Sequence, residues 1–203
     1  ITASLSGSPS SISNGGEMRI DQTIYWSKPS TSFETSNYAW RYEWNNNGTW
    51  SSDWQGDTNP AEWSDNAGTF VTNGDAVLTI KTRHFGSGNE AYSNEFAVTL
   101  KQPVIATSGS LSSFSTCAGT ASTAQSFNVS GTYLGSDVTV TAPAGFEVCA
   151  TSNGTYTSDI TFSPTNGTLA SSAVYVRLTS SASGSTSGNI ECTATAATTV
   201  NVS

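Results

Sequence analysis

Nowhere in its 203 residues does this chain place apolar side chains at i, i+3, i+4 and i+7 over ten or more positions, the spacing that gives a helix one buried stripe. What recurs instead is short alternation closed off by turns. Val174, Val176 and Leu178 alternate with Tyr175 and Arg177, so that an extended strand buries one face and wets the other. Charged residues make up only 11% and aromatics 10%, and Ser, Thr, Gly, Val and Ala dominate the rest, a mix that suits pleated strands and tight turns. The expected fold is all-β. At about 100 residues per sandwich the length fits two β-sandwiches better than one larger β-domain.

Composition shifts sharply at Lys101, Gln102 and Pro103. All six Trp, the only His and most of the charge lie before this point, whereas all three Cys and a single basic residue, Arg177, lie after it. Two differently built domains are therefore expected, residues 1–102 and 103–203. In the first, residues 17–26, 38–44, 49–54, 76–83 and 94–100 read as strands between Gly-, Asn-, Pro- and Ser-rich turns. In the second, the strand candidates are 110–115, 124–130, 137–142, 146–149, 159–163, 173–179, 189–195 and 198–202. The net charge of −8, with seven Lys and Arg, lacks the basic surface that a phosphate backbone demands, so no nucleic-acid partner is expected. No apolar segment approaches the roughly 20 residues that cross a bilayer, so no membrane insertion is expected either. No basic and apolar leader opens the chain at Ile1, and any export signal is expected to have been removed or to lie outside it.

Four blocks of the second half follow one another in a recognisable order: LSSFSTCAGT from Leu111, QSFNVSG from Gln125, VTVTAPAGFEV from Val138, and VYVRL from Val174 through SGNI from Ser187. In this order they resemble the Ig-like repeats of very large secreted and cell-surface proteins of Bacteroidota, many exported by the type IX secretion route and including adhesins of gliding bacteria. The likeness covers nearly all of residues 104–203. The first half resembles a bacterial Ig-like or fibronectin-like module only generically, through residues 76–100. The resemblance implies two tandem immunoglobulin-like β-sandwich domains, an extracellular or cell-surface location, and a structural or adhesive role within a longer array. Its partners would be neighbouring Ig-like domains of the same chain, surface glycans or other surface proteins. The three cysteines, Cys117, Cys149 and Cys192, allow one bridge and one remaining thiol, or three inert buried thiols. The resembling repeats often carry Cys at the places of Cys117 and Cys192, which implies a disulfide between those two; Cys117 with Cys149 stays open.

Constellations that carry chemistry are sparse. One His, no second base and no G-x-S-x-G elbow leave a Ser or Cys hydrolase without its proton carrier, so no enzyme is expected. A glycosidase needs only two carboxyls about 5 to 9.5 Å apart, and fifteen are present, but on two sandwiches they read as a solvated surface. No C-x₂₋₄-C pair exists for zinc. Asp53, Asp57, Glu62, Asp65 and Asp75 gather in one polar stretch that would suit calcium, yet without the EF-hand loop pattern; no cofactor is expected. Five N-x-[ST] matches, at Asn47, Asn128, Asn153, Asn166 and Asn201, read as chance in a Ser/Thr/Asn-rich chain.

The aromatic residues offer a sharper alternative. Alternation sets Tyr38, Trp40, Tyr42 and Trp44 on one face, which reads as interior, and Ala39, Arg41 and Glu43 on the other. Asn47-Gly48 is a type I′ hairpin signal, and a two-residue loop there pairs Asn45 with Trp50 and Arg41 with Trp54. Trp50 and Trp54 would then share the outer face with Arg41, and with Trp63 they form the candidate platform of a carbohydrate-binding module.

Overall fold

Along residues 96–101 the sequence FAVTLK becomes alternating burial: Phe96, Val98 and Leu100 are enclosed, while Ala97, Thr99 and Lys101 are half-buried. The same translation from pattern to pleat makes the whole protein all-β, with no helix among the described residues. A computed structural model describes the backbone of residues 2–6, 10–27, 37–46, 49–55, 62–66, 74–86, 89–92, 94–183 and 186–203. Side chains are described for residues 3–6, 10–25, 74–79, 94–183 and 186–203. The chain divides into two units, Ile1–Gln102 and Pro103–Ser203.

The first unit holds β1 (Thr2–Leu5), β2 (Ser11–Ile12), β3 (Gly16–Arg19), β4 (Thr23–Ser27), β5 (Asn37–Asn46), β6 (Thr49–Gln55), β7 (Glu62–Asn66), β8 (Ala76–Gly86), β9 (Asn89–Tyr92) and β10 (Phe96–Lys101). One sheet runs β2-β1-β4-β7 and the other β3-β10-β8-β5-β6, with β9 paired to β8. Leu5 and Ile24 of the first sheet pack against Met18, Leu78, Phe96, Val98 and Leu100 of the second, so a core lies between two sheets and the unit is a sandwich. Each such side chain contributes about 1.5–3 kcal/mol by leaving water. Residues 17–26, expected as one strand, form two strands in different sheets. The break lies at Gln22, which is 1% exposed: its N donates to Arg19 O (3.1 Å), its Oε1 accepts from Arg19 N (3.0 Å) and its Nε2 donates to Ser6 O (2.9 Å). A side-chain amide thus takes over main-chain pairing at the crossing.

The second unit holds β11 (Val104–Ser108), β12 (Gln125–Thr132), β13 (Val138–Thr141), β14 (Phe146–Cys149), β15 (Asp159–Phe162), β16 (Leu169–Leu178), β17 (Ile190–Thr193) and β18 (Val200–Val202). Its sheets run β11-β12-β16-β14 and β15-β13-β17-β18. Phe127, Val129, Val148, Val174 and Val176 of one face Val138, Val140, Ile190 and Cys192 of the other. The expected strand at 110–115 is absent: residues 109–124 form no strand, and the first strand of the unit is β11 instead. The Gln125 side chain brackets Ser112 as a neighbouring strand would, its Oε1 accepting from Ser112 N (2.7 Å) and its Nε2 donating to Ser112 O (3.0 Å).

The disulfide implied for Cys117 and Cys192 is also absent, all three thiols being free. Cys192 is fully enclosed between the sheets and Cys117 is exposed on the 109–124 segment. Cys149 follows the core residue Val148 and so occupies the opposite face of β14, where its Sγ lies 3.9 Å from Thr151 Oγ1. A bridge needs both side chains on one side of a shared gap, and these three are on three different surfaces. Burial pushes the Cys192 thiol up to about 11, the state of an inert core side chain.

Candidate functional site

The hairpin that carries the candidate platform has the two-residue register expected from Asn47-Gly48: Asn46 pairs with Thr49, Asn45 with Trp50 and Arg41 with Trp54. Pairing continues across the sheet from Asn45 to Val77, which is 38% exposed, and from Arg41 to Lys81. Trp44, by contrast, stands opposite Leu78, a core residue. Trp50 and Trp54 therefore occupy register rows offset from the row of the core. Trp63 belongs to the other sheet, in β7, where it pairs with Trp26 of β4. The side chains of Arg41, Trp50, Trp54 and Trp63 lie outside the described residues.

Of the acidic candidates for calcium, Asp75 is engaged by the protein itself. Its carboxylate accepts from Lys101 Nζ (2.7 Å) and Gln102 N (3.1 Å), and Lys101 also reaches Glu17 (3.5 Å). Partial burial works to raise its proton affinity, but those two hydrogen bonds and the ammonium charge outweigh it and hold the carboxyl below its ordinary value of 3.8. Asp53 lies in β6 and Glu62 and Asp65 in β7, in different sheets, and Asp57 lies outside the described residues. Among the described residues no three His, Cys, Asp or Glu side chains are grouped as metal ligands.

Two features of the second unit escaped the sequence reading. On the outer face of β14 and β16, Arg177 Nε donates to Glu147 Oε1 (2.6 Å) while its guanidinium lies 3.8 Å from the centre of the Tyr156 ring. Glu147 and Arg177 are direct cross-strand partners, but that was readable only once β14 and β16 were known to pair. The Tyr156 hydroxyl is buried with no hydrogen-bond partner, and that burial raises its proton affinity against the opposing charge of Arg177.

The second feature is a groove of about 640 Å³ between residues 111–114 and Val202 and Ser203, lined also by Phe146, Val176 and Ile190. A hollow of about 500 Å³ adjoins it, sharing Phe114, Phe146 and Thr186. Phe114 meets Phe146 edge to face, with centroids 5.5 Å apart, which anchors the irregular segment to the sandwich. The 186–188 wall sits tightly on residues 143–145. Gly145, at φ +86°, faces Thr186, and a Cβ on Gly188 would come within 2.5 Å of Pro143. Neither hollow is lined by a titratable side chain.

No helix among the described residues is long and apolar enough to cross a membrane. The chain matches no family model. No curated protein matches it either. Among solved structures it is similar to the FN1-FN3 domains of chicken CNTN1, at 13% identity and a TM-score of 0.31, over 99% of this chain and 68% of that one.

Proposed function

We propose that the chain is a non-enzymatic structural and adhesive module of a large multidomain extracellular surface protein, either a spacer or a stretch of an adhesin array. The observation that carries this reading is where the polar chemistry goes. Among the described residues the two polar residues buried as a whole, Gln22 and Ser122, bond main chain, while Tyr156 buries its hydroxyl alone. The pairs Arg19–Asp21, Lys101–Asp75 and Arg177–Glu147 tie strands and turns together, and no charged side chain lines the two hollows described in the second unit. Catalysis needs titratable groups converging on one cleft, and this arrangement holds strands instead. The likeness of residues 104–203 to Bacteroidota surface repeats suggests a parent exported by the type IX route and acting in adhesion or gliding.

Stretching single molecules of the full chain tests the modular part of the reading. Two separate unfolding events are expected, each releasing about 35 nm of contour for about 100 residues at roughly 3.5 Å each. One event of twice that length would argue against tandem spacers. Hydrolysis of polysaccharides above blank would argue against a non-enzymatic module.

A second reading keeps the first unit as a carbohydrate-binding module using Trp50, Trp54, Trp63 and Arg41. The register favours it for Trp50 and Trp54, because both stand in rows offset from the core. A glycan array probed with the full chain and with Trp50→Ala and Trp54→Ala separates the readings. Specific binding that both substitutions abolish supports the platform, and its absence leaves the spacer.

A further inference from the structure

Asn-Gly occurs at Asn14, Asn47, Asn73, Asn153 and Asn166, and both residues of the pair are described at 14–15, 153–154 and 166–167. Glycine has no side chain to shield its amide nitrogen from the carboxamide of the asparagine before it, so each pair is open to reaction with itself. Asn14 and Asn153 even share the tripeptide Ser-Asn-Gly, which leaves the fold to tell them apart. At Asn14 both reacting groups are fastened. Its Oδ1 accepts from Ala97 N (2.7 Å), its Nδ2 donates to Glu95 O (3.3 Å), and Gly15 N donates to Ala97 O (2.8 Å). All three bonds reach β10 or the residue before it, so freeing them means lifting the segment off the sheet. Asn166 and Gly167 close a turn in which Thr165 N donates to Thr168 O (2.8 Å) and Thr168 N to Thr165 O (3.0 Å), and Gly167 is buried. Asn153 is held by nothing comparable. It and Gly154 are exposed, its side chain bonds to none of the described residues, and Gly154 N donates within the same short turn, to Thr151 O at 3.2 Å. Nor can the turn dispense with its glycine: a Cβ at 154 would come within 2.5 Å of Thr151 Oγ1 and 2.6 Å of Cys149 Sγ.

We propose that Asn153 is a self-modification site, where the exposed carboxamide is converted to a carboxylate with water as the co-reactant. Gly154 N gives its proton to solvent hydroxide and attacks Asn153 Cγ. As the new N–C bond closes a succinimide ring, the Cγ–Nδ2 bond breaks and Nδ2 leaves as ammonia, taking a proton from water. Water then adds to a ring carbonyl and reopens the ring. Attack at Cγ gives aspartate; attack at the main-chain carbonyl gives isoaspartate, with one more carbon in the backbone of the turn. Nothing is oxidised or reduced, and the chain, already at −8, gains one negative charge on an exposed loop. Packing against Thr151 and Cys149 keeps the reactive glycine in place, and exposure of the turn admits the water. This inference is independent of the adhesive reading and of any glycan platform in the first unit.

The test is peptide mapping by mass spectrometry of the full chain, aged in warm, mildly alkaline buffer with and without urea. In the folded chain Asn153 is expected to convert at least about tenfold faster than Asn14, and ahead of Asn166, because a fastened site reacts only in the fraction of time for which it opens. In urea the rates at Asn14 and Asn153 should converge, since the two tripeptides are identical. Asn153→Gln, which closes the larger ring far more slowly, should remove the conversion at 153 and leave the rate at Asn14 as it was. Three results would overturn the proposal: equal rates at Asn14 and Asn153 in the folded chain, conversion of Asn166 ahead of Asn153, or no conversion of Asn153 over the time in which the unfolded chain converts. The first would mean that the bonds to β10 protect nothing, and the third that the turn is closed to the attack.

Discussion

The first unit is rich in Trp and charge and fills both sides of its last strand; the second carries the three Cys and one basic residue and leaves its last strand flanked on one side. The difference comes from how each chain leaves its opening strands. In the first unit a short turn at residues 20–22, held by the Gln22 side chain, lets β3 join one sheet and β4 the other. In the second, β11 is followed by sixteen residues without a strand, tied down at Ser112, at Phe114 and at Ser122. At this last point Ser122 N donates to Leu178 O (3.2 Å) and Leu178 N donates to Ser122 Oγ (2.9 Å). A sandwich core therefore tolerates an unfilled strand position, provided that the segment left out is fastened by side chains.

The largest expected effect comes from the strand that fills the edge. Met18→Ala removes the side chain that β3 places between the sheets and should cost the first unit about 2–5 kcal/mol, read as an earlier first transition in calorimetry. The second transition should not move. If both shift together, the two units do not unfold independently and the comparison between them fails.

The wall of the groove gives the next largest effect. Gly188→Ala would set a Cβ 2.5 Å from Pro143, and overpacking of this kind costs about 1–3 kcal/mol. Here only the second unit should lose stability. Smaller still, Gln125→Leu deletes the amide that stands in for a strand at Ser112. It should cost about 1 kcal/mol and speed hydrogen exchange at the Ser112 amide. An unchanged exchange rate would mean that the segment is held by Phe114 alone.

Much of this fold was legible, for reasons that particular residues show. Alternation at residues 96–100 and 174–178 gave strands because one face of each is in a core, and Asn47-Gly48 gave the hairpin register because few residues accept the backbone of a type I′ turn. The misses are long-range. Residues 110–115 read as a strand between turn-rich stretches, but whether such a segment pairs depends on what stands beside it in the fold, which no local signal encodes. Residues 17–26 alternate across a sheet change because Gln22 supplies the hydrogen bonds of the missing strand. Cysteine spacing likewise carries no face, and Cys149 and Cys192 ended on opposite sides of a sheet and a core.

The smallest and most discriminating expectation is a split in pH dependence between the units. Asp75, in the first, is held below 3.8 by Lys101 and Gln102 N, so its contribution is present above that value and is lost as pH falls through the folded one. The pair is about half exposed on the carboxylate side, which limits the effect to the size of an ordinary surface ion pair, about 0–1 kcal/mol. Cys192, in the second unit, has the opposite sign. Burial raises its thiol from 9.0 to about 11, so the unfolded chain loses the proton first and stability declines as pH rises from 9 to 11. Tyr156, raised by burial as well, acts in the same direction at the alkaline end. Acid should therefore lower the first transition preferentially and alkali the second. Asp75→Asn should flatten the acid limb of the first, and Cys192→Ala the part of the alkaline limb of the second between pH 9 and 11. If acid lowers both transitions equally in the wild type and Asp75→Asn changes neither, the Lys101 latch contributes nothing, and the contrast between the units rests on packing alone.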